Sequence, residues 1–172
     1  HSLGGFIAPR IGKMDKDIDG LVIMAGNSGD FLDLILTQYQ YLAELDGNVT
    51  EQEQKQIDAV KDAVEKIRSG DIKEGEFLLG AGKAYWEDLL SYKPVETAKE
   101  LDMPMLILQG ERDYQVTMEE LAGWKEGLKG KDNVDFITYP KLNHLFMPGE
   151  GQPNPQEYAE PSHIPEKVIT DI

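Results

Sequence analysis

Three short apolar runs, separated by segments of helical periodicity, dominate the hydrophobic pattern of the chain. The runs cover residues 21–25, residues 105–108 and, more weakly, residues 134–139. Continuous apolar runs of this length are typical of strands that are buried on both faces, as in a parallel sheet covered by helices. The alternation of strands and helices therefore predicts the α/β class, with about three parallel strands flanked by helices.

The helical segments carry recognisable start signals. Thr50 and Glu53 predict a capping box that opens a helix running to about residue 69, whose narrow apolar stripe indicates a surface position. Thr117 and Glu120 predict a second capping box, with a helix ending near residue 130. A third predicted helix, over residues 31–45, is richer in Leu, Ile and Tyr than the helix that Thr50 opens, so we expect it to be better buried than that helix.

The first two strands lie too far apart in sequence for a single crossover helix. About eighty residues separate Gly26 from Pro104. The residues beyond those that one crossover helix requires predict a helical cap subdomain over residues 28–93, inserted into a core made of residues 1–27 and 94–172. The Pro-rich stretch 148–165 is predicted as an extended loop before a last helix.

Composition narrows the function classes. The 172 residues include 17 Lys and Arg against 32 Asp and Glu, a formal charge of −15, with 40% hydrophobic and 28% charged residues. This balance is typical of a soluble globular chain, and the negative charge disfavours nucleic acid, whose binding depends on Lys and Arg. No apolar stretch reaches the roughly 18 residues of a membrane span. The compartment, cytoplasmic or secreted, is left open.

Cysteine is absent, which excludes disulfides, thiolate metal sites and a cysteine nucleophile. The acidic residues match neither a calcium loop nor a histidine-based metal site, so no metal or cofactor is expected. Only three histidines occur, at positions 1, 144 and 163. Imidazole chemistry therefore has very few candidates.

The first five residues match all but the first glycine of the motif G-x-S-x-G, followed by a further Gly. This motif places a serine on a sharp strand-to-helix turn, with its hydroxyl exposed at the helix N-terminus. Ser2 is then a candidate nucleophile, and the backbone N–H of Leu3 a candidate oxyanion donor. We expect a short helix over residues 6–12, limited by Pro9 to its first turns.

A serine nucleophile needs a base and a carboxylate that orients the base. Asp113 follows the second strand and His144 follows the third, so both belong to loops at the carboxyl edge of the sheet. Glu111 is the main rival acid. His1 adjoins Ser2, from whose side chain it diverges, and His163 lies in the Pro-rich loop. The chain order Ser, Asp, His at three strand ends favours His144 as the base.

Three motifs carry a resemblance to a known family: residues 1–5, residues 104–113 and residues 143–144. Together they span essentially the whole chain and resemble the α/β-hydrolase superfamily, most closely bacterial esterases and dienelactone-hydrolase-like members. The resemblance implies Ser2 as nucleophile, Asp113 and His144 as its partners, and residues 28–93 as the cap over an acyl or alcohol pocket. An aromatic cluster in the cap, Tyr85, Trp86 and Tyr92, is either a wall of that pocket or packing against the base of the cap.

The chain also departs from the family pattern. The resemblance implies about five strands before the elbow, whose first loops supply the second oxyanion donor, and nothing here corresponds to them. We expect the strand at residues 21–25 to form an uncovered edge, which pairs with an N-terminal half or with a second copy of the chain.

Two hypotheses of different classes follow. The first is a serine hydrolase that cleaves carboxylic esters, preferably aryl or short-chain acyl esters, with an amidase or peptidase as a close variant of the same triad. The second is a non-catalytic fragment that binds or oligomerises through its exposed sheet edge.

Overall fold

A computed structural model describes residues 1–172 and divides them into two compact units. The sheet unit comprises His1–Gly29 and Lys93–Ile172, and the helical unit comprises Asp30–Tyr92. The sheet unit contains, in chain order, α1 (Leu3–Met14), β1 (Leu21–Met24), α5 (Pro94–Lys99), β4 (Met105–Gly110), α6 (Met118–Gly127), β5 (Val134–Tyr139), a 3₁₀ helix (Pro155–Ala159) and α7 (Glu166–Asp171). The helical unit contains α2 (Phe31–Ala43), α3 (Glu51–Ser69), the hairpin strands β2 (Phe77–Leu78) and β3 (Ala81–Gly82), and α4 (Lys83–Ser91).

The sheet unit is built on three parallel strands in the order β1-β4-β5. Leu21 pairs with Met105, and Met105 pairs in turn with Val134. The predicted α/β class and the three predicted strands are confirmed, although β4 continues two residues beyond the predicted run. Because all three strands are parallel, their carboxyl ends lie at one edge of the sheet, and the loops that follow them meet there.

One face of this sheet carries the main hydrophobic core. Ile23, Met105 and Ile107 point to this face and are at most 2% exposed. Helices α5 and α6 cover them, and the indole N–H of Trp124 on α6 donates to the Gly26 carbonyl at 2.7 Å. The core therefore fixes the turn that follows β1, which is part of the candidate site described below.

The predictions for helices α1 and α6 were wrong in part. Helix α1 runs from Leu3 through Pro9 to Met14 instead of stopping at the proline. Pro9 is buried, so packing of α1 against the sheet unit outweighs the lost backbone hydrogen bond. The second capping box is also absent: Thr117 caps α6, but the Glu120 carboxylate accepts hydrogen bonds from the Ser28 N–H and hydroxyl and the Gly29 N–H.

The Pro-rich stretch is not a simple extended loop, since it contains the 3₁₀ helix Pro155–Ala159. Asn154 caps this helix through the Gln156 N–H. The predicted final helix is present as α7. Side chains of this 3₁₀ helix reach the loops after β4 and β5.

The helical unit follows its sequence signals closely. Thr50 and Glu53 form the reciprocal capping box predicted for α3, and Gly70 ends that helix in the left-handed conformation. Its apolar stripe is buried and consists of Ile57, Val60, Val64 and Ile67. The α2 helix ends at Ala43, two residues earlier than expected. The hairpin and α4 lack strong sequence signals and were not predicted. No helix in either unit combines the length and apolarity needed to cross a membrane.

Candidate active site

Ser2 occupies a strained turn directly before α1. Its φ of 54° and ψ of −125° lie in a region that non-glycine residues rarely adopt, at a cost of about 1–3 kcal/mol. The Ser2 N–H donates to the Met24 carbonyl at the carboxyl end of β1, at 2.9 Å. Its hydroxyl makes no cap to α1 and is therefore not used by the helix. The turn has the backbone shape that the G-x-S-x-G motif predicts for an exposed nucleophile.

The glycines around Ser2 let two backbones come close together. A Cβ on Gly5 would lie 3.1 Å from the Gly26 Cα, and a Cβ on Gly26 would lie 2.8 Å from the Gly5 carbonyl carbon. Larger residues at either position would push α1 away from the turn after β1. As the first residue of α1, Leu3 has an N–H with no acceptor inside the helix, so it is available to an oxyanion.

Asp113 lies in the loop after β4, with its side chain fully buried. Its Oδ1 accepts from the backbone N–H groups of Gln115 and Val116 at 2.8 and 2.9 Å. Its Oδ2 contacts His144 Nδ1 at 2.7 Å and accepts from Gln109 Nε2 at 3.2 Å. Four donors thus surround one carboxylate, which compensates for the loss of water around a buried charge.

His144 lies in the loop after β5, with a side chain only 5% exposed. Because a carboxylate can only accept, the contact with Asp113 requires the proton on Nδ1. The Nε2 atom then carries the lone pair that a general base needs. The loop is fixed by Asn143, whose Oδ1 accepts from the N–H groups of Leu145 and Met147 at 3.0 and 3.2 Å.

His1 connects the serine turn to the loop of His144. Its Nε2 lies 2.7 Å from the His144 carbonyl oxygen, and the centroids of the two rings are 4.6 Å apart. His1, the neighbour of Ser2, therefore contacts His144, which is hydrogen-bonded to Asp113. The structure brings Asp113 and His144 into direct contact, and it brings His1, the neighbour of Ser2, into contact with His144.

The rival residues lie in other surroundings. Glu111 accepts a hydrogen bond from the Thr138 hydroxyl at an exposed position, and His163 is exposed in the segment before α7. Of the cap aromatics, Trp86 is 2% exposed and its indole N–H donates to the carbonyls of Leu78 and Ala81. Tyr92 is also buried, whereas Tyr85 is 43% exposed. A role for these three in binding substrate stays a prediction.

Sequence reasoning missed the residues that support Asp113 and His144. Gln109, at the end of β4, is 2% exposed and also donates to the Val116 carbonyl at 2.7 Å. Asn143 directly precedes His144, which was a usable signal for a loop-fixing role. Glu157 contacts Arg112 and Asn143 from the 3₁₀ helix. Nothing in the sequence indicates that contact, because it joins segments 45 and 14 residues apart.

Comparison with known proteins gives three results. A sequence model of the prolyl oligopeptidase family matches residues 37–161. Esterase EstD of Thermotoga maritima is 36% identical over 174 residues, covering all of this chain and 40% of that protein. The esterase domain of a Rhodothermus marinus protein is similar in structure, with a TM-score of 0.50 and 14% identity over 84% of this chain and 50% of that one. The chain spans about two fifths of the length of EstD.

The parallel sheet, the serine turn and these similarities define a partial α/β-hydrolase fold. Within that superfamily of serine hydrolases, the chain belongs to the prolyl oligopeptidase family. The resemblance inferred from the three motifs is therefore confirmed.

Gly110 permits the close approach of the loops that carry Asp113 and His144. A Cβ there would lie 2.8 Å from the Asn143 carbonyl oxygen and closer still to that of Leu142. We expect Gly110→Ala to lower the free energy of unfolding by about 1–3 kcal/mol, measured by urea denaturation. Gly4→Ala is the control, because a Cβ at Gly4 meets nothing within 4 Å. Equal losses in the free energy of unfolding for Gly110→Ala and Gly4→Ala would contradict the role of Gly110 in the close approach of the two loops.

Replacing the buried carboxylate tests the pairing of Asp113 with His144. In Asp113→Asn an amide NH₂ must face some of the four donors, so we expect a loss of about 1–3 kcal/mol in the free energy of unfolding. The downfield proton resonance of His144 Nδ1–H, measured by NMR, should disappear or move upfield. Asp102→Asn, at an exposed position, is the control. An unchanged resonance in Asp113→Asn would refute the pairing.

Proposed function

We propose that the chain carries the catalytic residues of a serine hydrolase that cleaves carboxylic esters through an acyl-enzyme. The observation that carries the proposal is the buried His144–Asp113 contact of 2.7 Å, and the contact of His1, the neighbour of Ser2, with His144 supports it. A base with an orienting carboxylate is what a serine hydroxyl needs in order to attack a carbonyl carbon.

The proposed reaction has two halves. The Ser2 hydroxyl oxygen attacks the ester carbonyl carbon while His144 Nε2 takes the hydroxyl proton. The carbonyl oxygen becomes an oxyanion, which the Leu3 N–H stabilises, and the intermediate collapses as His144 returns the proton to the departing alcohol. Water, deprotonated by His144, then attacks the acyl carbon. The bond from that carbon to the Ser2 oxygen breaks, His144 returns the proton to the Ser2 oxygen, and the acid is released.

Asp113 serves this cycle by holding the imidazole and by stabilising its charge. Its Oδ2 keeps the proton on His144 Nδ1, so that Nε2 can accept. When the imidazole becomes an imidazolium, the carboxylate offsets the new positive charge without changing its own bonds. The backbone donors from Gln115 and Val116 keep that carboxylate in place throughout.

Two named relatives favour ester substrates, since one is called an esterase and the other an esterase domain. The family name points to peptide bonds as the alternative, and the same triad cleaves amides. We propose aryl or short-chain acyl esters as the substrate class and residues 28–93 as the cap that borders the acyl pocket. Tyr85, Trp86 and Tyr92 stay the residues proposed for substrate binding.

We also propose that the free edge of β1 pairs with another strand. The N–H groups of Leu21 and Ala25 donate toward β4, to Pro104 and Leu108. The intervening Val22 and Met24 therefore direct their backbone groups to the opposite side. Ser2 already bonds the Met24 carbonyl on that side. Val22 is 41% exposed, so this apolar edge is open to an N-terminal half or a second copy of the chain.

The serine assignment predicts a specific chemical label. A fluorophosphonate should modify the protein at Ser2 and should abolish hydrolysis of a chromogenic acetate ester, because the reagent captures an activated serine. Ser2→Ala should lose both labelling and turnover.

Ser69→Ala is the matched control, since Ser69 is an exposed serine that bonds only within its own helix turn. It should be labelled and should turn over substrate as the unsubstituted protein does. Labelling that persists in Ser2→Ala would remove Ser2 as the nucleophile.

The free edge predicts self-association of the 172-residue chain when it is prepared alone, because a second copy is then the available strand. Val22→Pro should weaken that association, measured by light scattering, since it removes an N–H that faces away from β4 and leaves the β4 ladder intact. Val22→Thr is the control and should associate normally. A chain that is monomeric at all concentrations would contradict this pairing.

A further inference from the structure

The Glu157 carboxylate lies between the two loops of the candidate site. Its two oxygens accept from both terminal nitrogens of Arg112, at 2.5 and 3.1 Å. Its Oε2 also accepts from Asn143 Nδ2 at 3.0 Å. Arg112 directly precedes Asp113, and Asn143 directly precedes His144. One carboxylate thus bonds the neighbours of both residues of the buried pair.

Each partner makes further hydrogen bonds that fix its position. The Arg112 N–H donates to the Leu142 carbonyl at 3.0 Å, and its guanidinium also donates to the carbonyls of Glu150 and Gly151. Asn143 holds its loop through the bonds to Leu145 and Met147 described above. A displacement of Glu157 would therefore be transmitted to the backbone on both sides of the Asp113–His144 contact.

The ion pair is shielded from water, which strengthens it relative to a surface pair. The side chains of Arg112 and Glu157 are 11% and 16% exposed. A Cβ on Gly149 would lie 2.9 Å from Glu157 Oε2, so the chain passes the pair closely. The Arg112 guanidinium holds the pKa of Glu157 below its ordinary value of 4.5, and Glu157 is ionised at neutral pH.

A second contact links the same 3₁₀ helix to the other side of Asp113. Gln115 Nε2 donates to the Tyr158 hydroxyl at 3.0 Å, and the rings of Tyr114 and Tyr158 stack with centroids 6.2 Å apart. Residues 112, 114 and 115 are all held, on either side of Asp113. The 3₁₀ helix therefore acts on this loop at more than one point.

We propose that Glu157 is a positioning residue, which sets the distance between Asp113 and His144 by clamping Arg112 to Asn143. The inference rests on the proposed function, because it assigns Glu157 to the same catalytic pair. Glu157 does not touch substrate in this proposal. Its effect reaches the reaction through the geometry of the His144–Asp113 hydrogen bond.

The test uses Glu157→Gln, which keeps the shape of the side chain but removes its charge and turns an NH₂ toward a donor. Asn143→Asp is the second variant: it keeps the Oδ1 acceptor for Leu145 and Met147 but sets a carboxylate against Glu157. Glu160→Gln, at an exposed position at the end of the same 3₁₀ helix, is the matched control. Far-UV circular dichroism confirms that each variant is folded.

Two readouts are measured on each protein, the His144 Nδ1–H proton resonance by NMR and the ester hydrolysis kinetics. In Glu157→Gln and Asn143→Asp the resonance should move upfield or broaden. We expect kcat to fall by about tenfold to a hundredfold with little change in KM, because misplacement of the pair weakens transition-state stabilisation without removing a substrate contact. Glu160→Gln should match the unsubstituted protein in both readouts.

The outcomes separate this inference from the function on which it rests. A resonance that is present in the unsubstituted protein and unchanged in both clamp variants overturns the role of Glu157 and leaves the triad standing. Absence of the resonance from the unsubstituted protein, together with no phosphonate labelling, overturns the triad and the clamp together. If Glu160→Gln shifts the resonance and lowers kcat as much as Glu157→Gln does, the specific role of Glu157 is overturned.

Discussion

The buried carboxylate of Asp113 is the constraint around which the candidate site is arranged. An ionised carboxylate without water is strongly unfavourable unless donors surround it. Here two backbone N–H groups, the Gln109 amide and the His144 imidazole supply those donors. The four donors come from three elements: the two backbone N–H groups from the turn after β4, the Gln109 amide from the end of β4 itself, and His144 from the loop after β5. The requirement to satisfy one charge therefore determines the shape of two loops.

The parallel sheet places these loops at one edge, and small residues then allow them to meet. Gly110 lets the loop after β5 lie against the end of β4, while Gly5 and Gly26 let the helix that carries Ser2 lie against the turn after β1. The strain at Ser2 is sustained by the backbone bond to Met24 and by the packing of α1. The fold thus holds an energetically unfavourable serine turn, and the residue before that serine, His1, contacts the imidazole that is bonded to Asp113.

Features that depend on neighbouring residues in the sequence were predictable. The apolar runs of the three strands, the capping box of Thr50 and Glu53, and the positions of Asp113 and His144 after strands all follow from local patterns. Features that depend on tertiary partners were not. Glu120 has the spacing of a capping box but bonds Ser28, and Pro9 lies inside a helix that packing maintains. Glu157 gave no signal, because its partners become neighbours only after folding.

The most direct test of the account is a crystal structure of the protein after reaction with a fluorophosphonate. We predict continuous density from the Ser2 hydroxyl oxygen to phosphorus, with a phosphonyl oxygen facing the Leu3 N–H and His144 Nδ1 still bonded to Asp113. Phosphorus bound at another residue, or a phosphonylated Ser2 with His144 turned away from Asp113, would contradict the central claim that these three residues act as one catalytic group.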